Sequence, residues 1–195
     1  MKVIKPLYGI AEAGTHWWST YFKHHHQRLR MITSSYDPCL LVTSESKPFG
    51  IVGMQTDDTL ILCDDEFCQL EETELQNAGF TAKPKVELTV TTPLMFNGCT
   101  LTKTNDTMDM KQKKQGEKLN LVTNAEDYRI QRARGAYIAS VCQPEACFDL
   151  SAAAQHRDPG PEDIATLNKR LKWQMENQMR GLKFIQLDLS TAKLF

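Results

Sequence analysis

Residues 49–63 run Phe49-Gly50-Ile51-Val52-Gly53-Met54-Gln55-Thr56-Asp57-Asp58-Thr59-Leu60-Ile61-Leu62-Cys63, and this stretch decides the fold. Two apolar arms, Phe49 to Gln55 and Leu60 to Cys63, flank the short polar connection Thr56-Asp57-Asp58-Thr59, which predicts a β-hairpin. Before it, Leu40 to Thr43 has strand composition and is followed by a Ser/Glu/Lys/Pro turn region. After it, Asp64 or Asp65 is placed to cap a helix that runs to about Asn77, with Gly79 as the terminating glycine. Phe67, Leu70 or Glu71, Leu75 and Ala78 give that helix one buried stripe.

Working outward, Thr15 to Leu29 carries Trp17, Trp18, Tyr21, Phe22 and Leu29 near helical spacing, with Thr15 as the expected N-cap. Pro84 to Leu101 has strand-and-turn character, β-branched from Val86 to Thr92 and punctuated by Pro93 and Gly98. From about Asp127 the periodicity turns helical. Arg129 to Cys142, Pro144 to Gln155 and Glu162 to Met179 are three candidate helices, with Pro144 and Pro161 at first-turn positions. Leu182 to Leu189 alternates like a final strand. Strands with helices followed by mostly helices predict an α+β fold: a first domain over residues 1–115 and a mainly helical one over residues 116–195.

The chain has 195 residues, of which 41% are hydrophobic and 24% charged, so collagen-like and wholly disordered classes fall away. No apolar run approaches the ~20 residues of a membrane span. The start, Met1 to Ile10, is broken by Lys5 and Pro6 and lacks the apolar core of a signal peptide. Cys39, Cys63, Cys68, Cys99, Cys142 and Cys147 form no CxxC pair, which points to free thiols in a reducing interior. The net charge of −1 conceals an asymmetry: residues 1–98 carry 8 basic and 12 acidic side chains, residues 99–195 carry 15 and 12.

The residues able to carry chemistry centre on Asp57-Asp58. Adjacent carboxylates at a hairpin tip repel, and a divalent cation relieves that repulsion. Hard oxygen ligands suit Mg²⁺, which commonly bridges carboxylates to phosphates; a solvated acidic turn accounts for the same residues. His24-His25-His26 points its rings in different directions and is expected to be structural or solvated. Asp64-Asp65-Glu66 suits a helix N-terminus. Lys111, Lys113, Lys114 and Lys118 with Arg129, Arg132 and Arg134 form a basic stretch suited either to a phosphate backbone or to plain solvation. No Ser/His/Asp triad, phosphate-cradling glycine loop or zinc spacing is present in the sequence.

Several segments, in order, resemble the reverse transcriptase of copia-type LTR retrotransposons. Lys5 to Gly14 with Trp17 is similar to that family's "LYGLKQAP…W" segment, and Ser35-Tyr36-Asp37-Pro38-Cys39-Leu40 to its "SDPxLF". Gln55-Thr56-Asp57-Asp58 stands where the family has "YVDD", and Gly79-Phe80 to Lys83 looks like the element after the next helix. Phe96-Asn97-Gly98-Cys99-Thr100-Leu101 is similar to the "FLGIxI" primer-grip hairpin, and Arg132 to Ala154 to the "R…GxLxYL…RPDIxxAVSxLS" helices.

The resemblance implies a partial right-hand polymerase palm, an antiparallel sheet with helices, over residues 1–115, followed by a mainly helical thumb/connection. It implies RNA-directed DNA synthesis: nucleotidyl transfer to a primer 3′-hydroxyl by two Mg²⁺ ions held by Asp57 and Asp58. Tyr8, Gly9 and Lys83 would meet the nucleotide and template, and Phe96, Asn97 and Gly98 the primer. The partners are then an RNA template, a DNA primer, deoxynucleoside triphosphates and the integrase and RNase H regions of a polyprotein, with no membrane. The expected compartment is the cytoplasm, within virus-like particles, or else the nucleus. Departures from the family pattern include Gln55 and Thr56 for its tyrosine and valine, and Glu12 for its glutamine. The family's third carboxylate and fingers lie upstream of the "LYG" segment. The expectation is therefore a fragment inactive alone, the alternative being a non-catalytic remnant or a domesticated nucleic-acid- or protein-binding module.

Overall fold

A computed structural model describes residues 12–56, 58–188 and 190–191. The chain is α+β and forms two compact units, residues 1–85 and residues 86–195. Among the described residues there are five α-helices and two four-stranded antiparallel sheets.

The first unit opens with α1 (Ala13–Arg28), continues through β1 (Met31–Thr33), β2 (Leu40–Thr43), β3 (Gly50–Gln55) and β4 (Asp58–Cys63), and closes with α2 (Asp65–Asn77). The strands pair in chain order as a meander. Leu41 faces Val52, and Val52 faces Ile61, so one apolar row crosses three strands. Side chains alternate across a strand, and this row shares a buried core with Tyr21 and Leu29 from the α1 segment and Phe67 of α2. The opposite face carries Ile32, Val42, Ile51 and Leu62 in register.

Local chemistry fixes the α2 junction. Asp64 is the N-cap: its carboxylate accepts from the Phe67 amide at 2.8 Å and from the Phe49 amide at 2.9 Å, tying the helix start to the entry of β3. Those two bonds hold its carboxyl below the ordinary value. The Phe67 ring then lies over Gly50, where an added Cβ would sit 2.7 Å from the ring, so only glycine admits it. Gly79, at φ +72°, ends the helix as expected.

The second unit pairs β5 (Leu94–Phe96), β6 (Cys99–Lys103), β7 (Thr107–Gln112) and β8 (Gly181–Ile185) in that order. Between β7 and β8 the chain builds α3 (Ala125–Cys142), α4 (Cys147–Ala153) and α5 (Pro161–Glu176). Cys99, Leu119, Val122, Tyr128, Ile138, Leu150, Leu167 and Leu171 are buried together as its core. Gly135 lets α5 approach α3, because a Cβ there would meet Gln174 Oε1 at 2.7 Å. Gln174 uses that proximity, donating to the Gly135 carbonyl at 3.1 Å and to Gln143 Oε1 at 3.2 Å.

Several expectations shift. The hairpin turn narrows because Asp58 and Thr59 belong to β4, with Gln55 paired to Asp58. The helix expected from Thr15 begins at Ala13, and its N-cap residue, Glu12, makes no side-chain cap. The helix expected from Arg129 begins at Ala125, because Asn124 caps it by accepting from the amides of Glu126 and Asp127. Val86 to Thr92 forms no strand despite its β-branching: the Thr89 hydroxyl accepts from the amides of Thr91 and Thr92, making a local turn. The three-residue β1 and the six-residue β7 were not expected. The Phe96–Cys99 hairpin belongs to the second unit, together with the helices, whereas the sequence boundary at 115/116 grouped it with the first sheet.

Candidate metal and nucleic-acid site

Asp58 opens β4 directly across from Gln55, beside Thr56 in the left-handed conformation at φ +54°. Its side chain is exposed, and among the described residues it has no hydrogen bond or ion pair, which leaves both carboxylate oxygens open to a ligand. Asp57, Tyr8 and Gly9 lie outside the described residues. The hard oxygen of Asp58 fits Mg²⁺ chemically. The number of ligands does not reach a two-metal set, since no group of three acidic, imidazole or thiol side chains gathers among the described residues.

In the core of the same unit the Tyr21 hydroxyl donates to Glu71 Oε1 at 3.1 Å. His25 stacks on Tyr21 with ring centroids 3.9 Å apart, and its Nε2 lies 3.4 Å from the same Glu71 oxygen. Its Nδ1 lies 3.1 Å from the Tyr21 carbonyl, so both ring nitrogens face acceptors; the neutral ring can satisfy one and the imidazolium both. Lys85 Nζ sits 2.8 Å from Glu71 Oε2 and 3.0 Å from the Cys68 carbonyl.

Glu71 is 1% exposed. Burial pushes its carboxyl up, but the hydrogen bonds from His25 and Lys85 and the Lys85 charge outweigh it and hold the carboxyl below the ordinary value. The Tyr21 hydroxyl goes the other way, raised well above the phenol range by burial and then by the Glu71 charge. Burial lowers Lys85, yet Glu71 overcomes that and raises it. His24 is lowered chiefly by burial. Of the three consecutive histidines, expected to be structural or solvated, His25 is buried, His24 bonds the Glu74 carbonyl at 3.1 Å and the exposed His26 bonds the Met31 carbonyl at 2.9 Å. The Glu71 network has no counterpart in the sequence reading, whose α2 stripe left Leu70 and Glu71 as alternatives; the structure buries Glu71 and exposes Leu70.

The remaining expected positions separate into two sets. Lys83 is exposed and makes no hydrogen bond or ion pair among the described residues. Phe96, Asn97 and Gly98 form one tight turn, Asn97 at φ +46° and Gly98 at φ +69°, the Asn-Gly chemistry of a two-residue hairpin. Tyr137 of α3 donates to the Asn97 carbonyl at 3.1 Å, and Gln115 Nε2 donates to the Gly98 carbonyl at 2.7 Å, so the turn is clamped from two sides. The cysteines are free, and burial pushes the Cys63 and Cys142 thiols up to about 11, which keeps them protonated and unreactive. No described helix is long and apolar enough to cross a membrane.

No family model, no curated protein and no solved structure matches this chain.

Proposed function

We propose that this chain is part of a copia-type RNA-directed DNA polymerase, holding Mg²⁺ at the Asp57-Asp58 hairpin beside a primer–template, and that it does not complete nucleotidyl transfer alone. The observation that carries the reading is Asp58: a carboxylate with no side-chain partner among the described residues, at the end of an antiparallel hairpin that shares its core with two helices. That is the layout expected of a polymerase palm, with helices behind and the acids at the strand ends. The order of the six sequence segments adds to it.

When bound, Mg²⁺ would supply charge neutralisation of phosphates and activation of the primer hydroxyl. The protein's own part is to hold the carboxylate at a fixed point. Asp58 pairs across the hairpin with Gln55, and Thr59, one residue on, with Met54, which fixes this end of β4. The Asn97-Gly98 turn presents a second rigid backbone corner, suited to a primer strand. Asp37, the only aspartate that precedes Asp57, is engaged locally: it accepts from the Cys39 amide at 2.8 Å. This supports the view that the chain needs a further carboxylate for the complete reaction.

The test is binding of a fluorescent RNA/DNA primer–template with a matched deoxynucleoside triphosphate, with and without Mg²⁺. Mg²⁺ should tighten binding in the wild type and not in an Asp57→Asn/Asp58→Asn variant. Binding indifferent to Mg²⁺ in both proteins would contradict the proposal.

A further inference from the structure

The second unit holds a cleft of about 400 Å³ between the start of α3 and the end of α4, lined by Tyr128, Arg129, Arg132, Gln155, His156 and Arg157 together with Ala153 and Ala154. Its size is within the ~300–1,000 Å³ of small-ligand sites, but its wall is cationic, whereas such sites are mostly apolar. Three arginines line it, and among the described residues none has a carboxylate at ion-pair distance. Arg129 Nη2 donates only to the Arg157 carbonyl, at 3.3 Å, and Arg132 and the Arg157 side chain make no hydrogen bond or ion pair.

The nearby groups explain why this charge is left over. Asp163, the partner of the cleft residue His156, is engaged, with its Oδ1 3.2 Å from His156 Nδ1 and its Oδ2 accepting from the Gly160 amide at 2.9 Å. Tyr128 forms a fixed floor: it is buried, and its hydroxyl donates to the Ala153 carbonyl at 3.1 Å. The amides of Ala154 and Gln155 are spent on the carbonyls of Ser151 and Ala152. The positive potential therefore comes from the side chains. Like charges gathered without a counter-charge repel one another, and a dianion relieves that repulsion. Guanidinium forks match the oxygens of phosphate in particular, with two parallel hydrogen bonds per fork.

We propose that this cleft binds a phosphate group through Arg129, Arg132 and Arg157. The phosphate site stands on the cleft alone. Assigning the phosphate to a nucleic-acid backbone, as opposed to free phosphate or pyrophosphate, rests on the polymerase reading above, and the experiment separates the two.

Pyrophosphate is titrated into the full chain by calorimetry, for the wild type, for Arg129→Gln/Arg132→Gln, and for Lys169→Gln/Lys172→Gln. The last variant removes the same charge from α5, outside the cleft lining. Circular dichroism checks that each variant is folded. Loss of two charge-assisted contacts should weaken pyrophosphate binding by roughly tenfold or more, while the lysine variant stays near wild type. No binding to the wild type, or equal losses in both variants, would overturn the phosphate site. In a second arm, a short single-stranded oligonucleotide competes with pyrophosphate. Displacement that weakens steeply between ~50 mM and ~200 mM salt assigns the site to a nucleic-acid backbone. Absence of displacement overturns that assignment and leaves a free-phosphate site. Neither arm involves Asp57 or Asp58, so failure here is distinct from failure of the metal site.

Discussion

Tyr21 of α1 and Glu71 of α2, separated by 50 positions in the chain, meet in the core of the first unit through a 3.1 Å hydrogen bond from phenol to carboxylate. Glu71 also carries His25 and Lys85, so one buried acid joins both helices to the end of the unit. Replacing it leaves the Tyr21 hydroxyl and the His25 ring without their shared acceptor. Glu71→Ala should destabilise the first unit by about 2–4 kcal/mol, toward the lower part of the range for a broken buried pair, because Lys85 is 38% exposed and can turn to water. Tyr21→Phe, which removes one donor, should cost about 1 kcal/mol. Amide hydrogen exchange in α1 and α2 measures both.

The same cluster sets a pH dependence with two limbs. Glu71 is held below its ordinary value of 4.5, so its stabilising contribution is complete above that pH and is lost as the pH falls through the folded-state value. Tyr21 is raised above its ordinary value of 10.0, so the folded state keeps a proton that the unfolded chain releases, and stability declines as the pH rises past 10.0. Lys85, raised above 10.5, loses its contribution in the same direction. Unfolding followed across the pH range should show both declines. Glu71→Gln should flatten the acid limb, and Tyr21→Phe should reduce the alkaline one.

Two glycines should resist substitution for different reasons. At Gly50 a methyl group would collide with the Phe67 ring at 2.7 Å, so Gly50→Ala should cost about 1–3 kcal/mol through overpacking. Gly98 combines a positive φ of +69° with a Cβ position 2.5 Å from the Tyr137 hydroxyl. Gly98→Ala should therefore cost at least as much and release the Asn97–Tyr137 bond. Urea unfolding of each variant gives the cost, and exchange of the Cys99 amide reports whether the turn has opened.

Asn168 of α5 acts as a substitute strand for Val122: it accepts from the Val122 amide at 2.7 Å and donates to the Val122 carbonyl at 2.9 Å. Both Val122 groups lose their partner in Asn168→Ala, which should destabilise the second unit by about 1–3 kcal/mol. Exchange of the Val122 amide should accelerate more than that of neighbouring amides in α3.

The fold was legible where a local rule operates. The β3–β4 hairpin, α2 with its Asp64 cap and Gly79 stop, and Pro161 at the start of α5 all follow from residues within a few positions of one another, while Pro144 opens only a short 3-10 turn ahead of α4. The departures come from long-range pairing. β7, Thr107 to Gln112, mixes Met, Asp, Lys and Gln and has no strong strand signal; it is a strand because β6 and β8 flank it. Val86 to Thr92 has the better strand composition but no partner. The place of Asp58 in the hairpin was legible from its neighbours. Glu71 was not, because its role depends on Tyr21 and His25 arriving from another helix. Arg157 was not singled out either, since only the packing of α4 against α3 brings it to the same cleft as Arg129 and Arg132.

Electron paramagnetic resonance of Mn²⁺ reads whether the hairpin acids hold a divalent cation. The full chain should bind Mn²⁺, release it to excess Mg²⁺, and lose that binding in Asp57→Asn/Asp58→Asn while its circular dichroism is unchanged. Wild-type protein that leaves all the Mn²⁺ free, or a variant that binds it equally well, would contradict the account.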